Sequence, residues 1–128
     1  DHAVNIANAV QYLIETPPMR TLPEIEEMVG LSTDMLNDAL HAFVRRDTKL
    51  AREVRERDDR VDRLHENVFR ILLTHMMEDP RRISPGMDML LVSRNLERIA
   101  DLATNIAEDV VYMVEGRQIK HGREPQTG

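Results

Sequence analysis

The chain has 128 residues, 41% of them hydrophobic and 31% charged, which is enough to bury one modest core and excludes a disordered chain. Its formal net charge is −6, and a negative field disfavours binding to the phosphate backbone of a nucleic acid. No cysteine occurs, which excludes disulfides and thiolate metal sites.

The first fifteen residues resemble a later part of the same chain. Aligning Asp1–Glu15 with Asp101–Glu115 gives eight identities in fifteen positions. The offset of 100 residues is the size of a domain, so the pattern indicates a duplicated domain. We therefore expect residues 1–16 to be the end of the last helix of a first copy. Residues 17–23 are predicted as a linker, because their prolines lack the amide proton that a helix needs.

From Glu24 to about Arg46, apolar residues recur with the period of an amphipathic helix. The predicted core positions are Ile25, Met28, Met35, Leu36, Ala39, Leu40 and Phe43. Gly30 and Ser32 alternatively suggest the turn and the cap of a DNA-binding helix-turn-helix. Its second helix would present acids to DNA and no Lys or Arg before Arg45, so this alternative is disfavoured.

A second helix is predicted from Thr48 to about Glu78. Asp47 is a suitable N-cap for it, and Asp79-Pro80 should end it. Its predicted core positions are Leu50, Val54, Val61, Leu64, Val68, Leu72 and His75.

A third helix is predicted from Ser84 to Glu115. Ser84 would be its N-cap, Pro85 its first helical residue and Gly116 its stop. Residues 117–128 are polar and are predicted to be a disordered tail. Short turns between three long helices indicate an all-α fold, with residues 24–116 forming an antiparallel three-helix bundle.

Two pairs of acids have the same spacing on the second and third predicted helices. Asp58 and Asp62, like Glu97 and Asp101, are separated by one helical turn, which points both carboxylates of a pair the same way. Two such helices side by side could hold a hard cation or an iron ion. The alternative is a solvated surface on which acids and arginines form pairs.

The third helix carries a family resemblance. Glu97-Arg-Ile-Ala-Asp101-Leu-Ala-Thr-Asn105-Ile-Ala-Glu108 resembles the signature of the PhoU family, accessory and regulatory proteins of bacterial phosphate uptake. The resemblance implies two copies of a three-helix bundle, and it extends over Thr21–Gly116 and over Asp1–Glu15 in the first copy. Two positions, Ala100 and Leu102, depart from the Gly and the frequent His expected there; neither departure removes a carboxylate.

The resemblance also implies metal sites on the bundle surface. The predicted ligands are Asp58, Asp62, Glu97, Asp101, the weaker candidate Asn105, and Asp1, which repeats Asp101 in the first copy. The metal is expected to be a divalent or iron ion, with Fe, Zn, Mn, Mg and Ca all compatible with oxygen donors.

No enzyme motif accompanies these acids. The chain has no Gly-x-x-x-x-Gly-Lys phosphate loop, no Gly-x-Ser-x-Gly nucleophile and no Glu-x-x-His di-iron motif. We therefore expect a protein without catalysis of its own, and the resemblance to the PhoU family implies a metal-binding negative regulator of the phosphate-starvation response. A metal-dependent hydrolase of phosphate compounds is the alternative.

The partners follow from the same resemblance. It implies contact with the ATPase subunit of the phosphate transporter and with the phosphate sensor histidine kinase. No apolar run is long enough to cross a membrane and no leader is evident, so a cytoplasmic protein without membrane insertion is expected. The apolar face of residues 1–15 lacks partners from its own bundle, so another copy, in a homodimer, or the predicted bundle should cover it.

Overall fold

The computed structural model describes residues 22–122, with side chains for residues 22–116. Helices α1 (Pro23–Arg45), α2 (Thr48–Glu56), α3 (Asp58–Glu78) and α4 (Ile83–Gly122) follow in order, with a 3₁₀ turn at Pro80–Arg82. Helix α4 packs against all three other helices, and α1 also packs against α2 and α3. Within the described residues there is no β-strand, so the predicted all-α fold is confirmed. Helices α2 and α3 together form the middle arm of the three-helix bundle.

Helix α1 runs through Gly30 without a break, so the helix-turn-helix alternative is wrong. Ser32 is buried inside this helix and caps nothing. Its hydroxyl donates a hydrogen bond to the carbonyl oxygen of Leu96, at 3.0 Å, and so ties α1 to α4. The helix ends at Arg45, and the C-cap residue Arg46 that follows is left-handed, with a φ of 54°.

The predicted second helix is interrupted at Arg57, where the structure has two helices instead of one. Asp47 caps α2 as predicted, since its Oδ1 accepts from the Leu50 amide at 3.1 Å. At the break the Arg57 amide donates to the carbonyl of Val54, a tighter turn than that of an α-helix. The sequence has neither proline nor glycine here; Arg57 instead pairs with Asp38 of α1 at 2.7 Å, which holds the break against that helix.

The start of α4 also differs from the prediction. The helix begins at Ile83, directly after the 3₁₀ turn, so Ser84 is not its cap. Asp79 caps the turn instead, accepting from the Arg81 amide at 3.0 Å. Gly86 lies where α4 meets Met76 of α3, and a Cβ at this position would come within 2.9 Å of the Met76 Cγ. The glycine therefore permits the close approach of α3 and α4.

The predicted end of α4 at Gly116 is wrong, because the helix continues to Gly122. Gly116 does not adopt the positive φ of a glycine that ends a helix. A glycine inside a helix lowers its stability by only about 1 kcal/mol relative to alanine, so the helix can continue through it. Of the tail predicted to be disordered, residues 117–122 are therefore helical. Residues 123–128, like the predicted first-copy helix 1–16 and most of the linker 17–23, lie outside the described residues.

The core lies between the three arms and contains aliphatic side chains and methionines. Its largest fully buried apolar side chains are Ile25, Met28, Met35, Val54, Val61, Val68, Leu96 and Val110. The prediction of Leu40 and Phe43 as core positions is wrong, since Leu40 is 46% exposed and Phe43 is 49% exposed. Both lie on a flank of α1 that no described helix covers. None of the helices in residues 22–122 has the length and apolar character needed to cross a membrane.

Candidate functional site

The two predicted acid pairs lie on helices that pack side by side. Asp58 and Asp62 belong to α3, and Glu97 and Asp101 belong to α4. Asp62, Glu97 and Asp101 each directly follow a buried residue, namely Val61, Leu96 and Ala100, and Asp58 lies one turn before Asp62. One residue turns a helix by about 100°, so these acids lie beside the core, at the boundary where α3 meets α4. We call Asp58, Asp62, Glu97 and Asp101 the acidic cluster.

The strongest perturbation in the acidic cluster is at Glu97. Burial is the largest cause that raises the pKa of Glu97 from 4.5 to about 7. Next come a hydrogen bond that the protonated Glu97 donates to Asp62 and the negative charges of Asp62, Asp101 and Asp58. The acids on α4 therefore lie close enough to those on α3 for their charges to interact.

Asp58 and Asp101 are perturbed in the same direction. Burial, followed by the charge of Asp62, raises the pKa of Asp58 from 3.8 to about 6 and also raises the pKa of Asp101. The Oδ1 atom of Asp58 is buried and has no hydrogen-bond partner among the described residues. A buried carboxylate oxygen without a donor is costly, and no side chain of residues 22–116 supplies one to this oxygen.

His65 of α3 lies beside the cluster, although no ligand role was predicted for it from the sequence. Its Nδ1 is 2.7 Å from the Ser93 hydroxyl, and its Nε2 is 3.8 Å from Oε1 of Glu97. Burial, the largest cause, lowers the pKa of His65 in spite of the nearby charge of Asp62. The ring is therefore predominantly neutral at pH 7 and does not neutralise the acids, but its Nε2 faces them as a further donor atom.

Glu108 is the second residue that the sequence reasoning missed, although it is the last acid of the motif that begins at Glu97. Its charge contributes to the raised pKa of Asp58. Glu108 and Asp58 also line a cavity of about 480 Å³, together with Arg52, Arg55, Glu56 and Thr104. The Arg55 Nε is 3.9 Å from the Glu108 carboxylate, and Arg52 pairs with Glu115.

The remaining predicted ligands are less closely placed. Asn105 is exposed one turn beyond Asp101 on α4, where it offers a neutral amide oxygen at the edge of the cluster. Asp1 lies outside the described residues.

The acidic cluster fits a cation by its chemistry, but not by its present side-chain positions. Within the described part of the chain, no three His, Asp or Glu side chains meet in a way that could hold a metal ion. The donors are nevertheless carboxylate oxygens that repel one another, and one of them is buried without a partner. Other side-chain rotamers of these acids would be required to bring three oxygens to a common point.

Comparison with known proteins shows which family the chain belongs to. Residues 25–110 match the family model described as PhoU domain. This chain belongs to the PhoU family. A PhoU homolog of Zymomonas mobilis, named as a phosphate-specific transport system accessory protein, is 45% identical over 93% of this chain and 50% of its own length. A homolog of the same name from Aquifex aeolicus is 41% identical over 100% of this chain and 58% of its own length.

The crystal structure of PhoU from Pseudomonas aeruginosa shares the fold. Its TM-score is 0.79 at 40% sequence identity, with 91% of this chain and 56% of that chain covered. The family resemblance is confirmed, and the chain spans about half the length of the curated relatives it matches. The matched PhoU domain includes all four residues of the acidic cluster.

Proposed function

We propose that this PhoU chain takes part in regulating phosphate uptake as a metal-binding protein without catalysis of its own. The names of its relatives support the setting, since they describe accessory proteins of phosphate-specific transport systems. The observation that supports the metal-binding part is the acidic cluster, where two acid pairs on adjoining helices repel one another and the pKa values of Asp58, Glu97 and Asp101 are raised.

A multivalent cation would relieve the repulsion within the cluster. Asp58, Asp62, Glu97 and Asp101 would hold it, because oxygen donors with negative charge suit Mg²⁺, Ca²⁺, Mn²⁺, Zn²⁺ or iron. The chemistry supplied by the ion is charge neutralisation and cross-linking of α3 to α4. The bound ion would thereby fix the surface that these helices present to a partner.

The proposed partners are the ATPase subunit of the phosphate transporter and the phosphate sensor histidine kinase, on the cytoplasmic side of the membrane. When phosphate is plentiful, the complete protein would contact both and hold the phosphate-starvation response off. The bundle supports such a role because its helices leave large apolar side chains exposed. The homodimer expected from the sequence stays a prediction.

The first test of this function is metal binding by variants of the cluster. The double variant Asp62→Asn with Asp101→Asn removes one anionic donor from each helix. Loss of a group that only hydrogen-bonds to a metal ligand already weakens metal binding about tenfold or more, so we expect at least about tenfold weaker metal binding here. Titration of the metal-free protein with Mn²⁺, Zn²⁺ and Fe²⁺, followed by calorimetry and elemental analysis, measures the effect.

The matched control is Asp34→Asn, which removes an exposed acid from α1, away from the cluster. It should bind metal like the unmodified chain, and all variants should keep the same helical circular dichroism. Equal metal binding by the double variant would exclude the site. Metal-dependent release of phosphate from simple esters, lost in the double variant, would instead favour the hydrolase alternative.

The second test is made in cells with the complete gene. Deleting the gene should leave the phosphate-starvation genes expressed in phosphate-rich medium, and the intact gene should restore their repression. Genes carrying Asp62→Asn with Asp101→Asn should restore it less well than genes carrying Asp34→Asn, at equal protein level by immunoblot. Normal repression in the deletion strain, with no second copy of the gene, would contradict the regulatory function.

A further inference from the structure

His65 continues the line of acids on α3. Asp58, Asp62 and His65 are four and then three residues apart, so their side chains lie on one side of this helix. On α4, Ser93 and Glu97 are likewise one turn apart. The two helices are antiparallel here, because His65 contacts Ser93 while Asp62, one turn earlier, interacts with Glu97, one turn later. His65 therefore stands at one end of the acidic cluster.

The two ring nitrogens of His65 have different surroundings. Nδ1 is 2.7 Å from the hydroxyl of Ser93, which is fully buried. Nε2 is 3.8 Å from Oε1 of Glu97, and this distance is too long for a hydrogen bond. The nitrogen that faces the acids is therefore not committed to a hydrogen bond within residues 22–116.

Ser93 suits the form of the ring that binds a metal. A histidine that binds a cation through Nε2 keeps its proton on Nδ1 and donates it to a fixed acceptor. The Ser93 hydroxyl can be this acceptor, because its own proton can go to the Met28 sulfur, 3.5 Å away. Met28 and Ser93 are both fully buried, so they can hold the His65 ring in a fixed orientation.

The distance between His65 and Glu97 is compatible with two ligands of one ion. Zn²⁺ lies about 2.1 Å from nitrogen and oxygen ligands, so two such donors of one ion are at most about 4.2 Å apart. The distance of 3.8 Å between Nε2 and Oε1 is within this limit. Further oxygens would come from other rotamers of the remaining acids.

We propose that Nε2 of His65 is a ligand of the cation held by the acidic cluster, and that it makes the site selective for transition-metal ions over Mg²⁺ and Ca²⁺. Imidazole nitrogen suits Zn²⁺, Fe²⁺ and Ni²⁺, whereas Mg²⁺ and Ca²⁺ prefer oxygen ligands. The inference rests on the proposed metal binding by the acids. It adds one neutral nitrogen to a set that otherwise contains only oxygen donors.

The competing role for His65 is to pack α3 against α4 through Ser93 alone. His65→Asn separates the two roles, because the asparagine amide nitrogen can take the place of Nδ1 toward Ser93 while nothing replaces Nε2. The matched control is His41→Asn, which makes the same change at an exposed position of α1.

Calorimetric titration of the metal-free full chain and of both variants with Zn²⁺, Ni²⁺, Mg²⁺ and Ca²⁺ tests the proposal. For His65→Asn we expect at least about tenfold weaker binding of Zn²⁺ and Ni²⁺. Binding of Mg²⁺ and Ca²⁺ should stay as in the unmodified chain, and His41→Asn should match that chain with all four ions. Equal losses for all four ions in His65→Asn, or no loss for Zn²⁺ and Ni²⁺, would overturn the proposal.

Nitrogen NMR of the isotopically labelled chain observes the ring directly. Zn²⁺ should shift the Nε2 resonance of His65, which is assigned by its absence from His65→Asn, and should leave Nδ1 protonated. The double variant Asp62→Asn with Asp101→Asn should reduce this shift. Zn²⁺ binding that needs the two acids but leaves Nε2 unshifted would overturn the role of His65 alone. No Zn²⁺ binding by the unmodified chain would contradict the proposed metal-binding function as well.

Discussion

At pH 8, the metal-free Glu97→Gln variant should be more stable than the unmodified chain, and the two should become equally stable near pH 4. The folded-state pKa of Glu97, about 7, is above its ordinary value of 4.5, so the folded chain holds this proton more tightly than the unfolded chain. The stability from this group is present below the ordinary pKa and is lost as pH rises through about 7. The glutamine side chain is neutral at every pH, so the variant does not lose this stability.

The magnitude is limited by solvent around the acidic cluster. Because the Glu97 side chain remains 28% exposed, we expect about 1 kcal/mol at pH 8, discounted for screening, or a melting temperature higher by roughly 4–8 °C. Thermal unfolding followed by circular dichroism between pH 4 and pH 8 measures it. Glu53→Gln, an exposed acid of α2, is the matched control and should show no such pH-dependent gain.

Metal should reverse the sign of this effect. A cation held by the cluster binds the folded chain and not the unfolded chain, so it should stabilise the unmodified protein at pH 8 more than the Glu97→Gln variant. If the variant is less stable than the unmodified chain at pH 8 without metal, the acids are structural ion-pair partners and the repulsive cluster described above is incorrect.

The largest loss of stability should come from Leu96→Ala. Leu96 is only 1% exposed at the centre of α4, and its carbonyl oxygen receives the hydrogen bond from Ser32 of α1. Truncating a buried leucine leaves a cavity and costs about 2–5 kcal/mol, a large part of the 5–15 kcal/mol typical of a domain, so the melting temperature should fall by roughly 10 °C or more.

Leu102→Ala on the same helix is the control. It makes the same chemical change at a site that is 38% exposed, so the cost should be below about 1 kcal/mol, and the difference in helix propensity is the same for both variants. Urea unfolding monitored at 222 nm gives both values. Similar losses for the two variants would mean that Leu96 does not pack in the centre of the bundle.

The helices themselves were largely predictable from the sequence. The apolar period predicted three long helical arms, and Asp47 was correctly predicted as a cap, because both signals depend on residues within a few positions of one another. The same reasoning failed at Arg57, Ser84 and Gly116. Helix breaks and ends there depend on the Arg57–Asp38 pair, on the Asp79 cap and on whether a glycine is needed for a turn, which local spacing does not reveal.

The sequence by itself determined that each acid pair lies on one side of a helix, since residues four apart are always neighbours there. Only the tertiary structure decided that the pairs from α3 and α4 meet, that burial and mutual repulsion raise the pKa values of Glu97 and Asp58, and that His65 and Glu108 lie beside them. The physical reason is that contacts between helices depend on packing over the whole bundle. Spacing within one helix depends only on the geometry of its backbone.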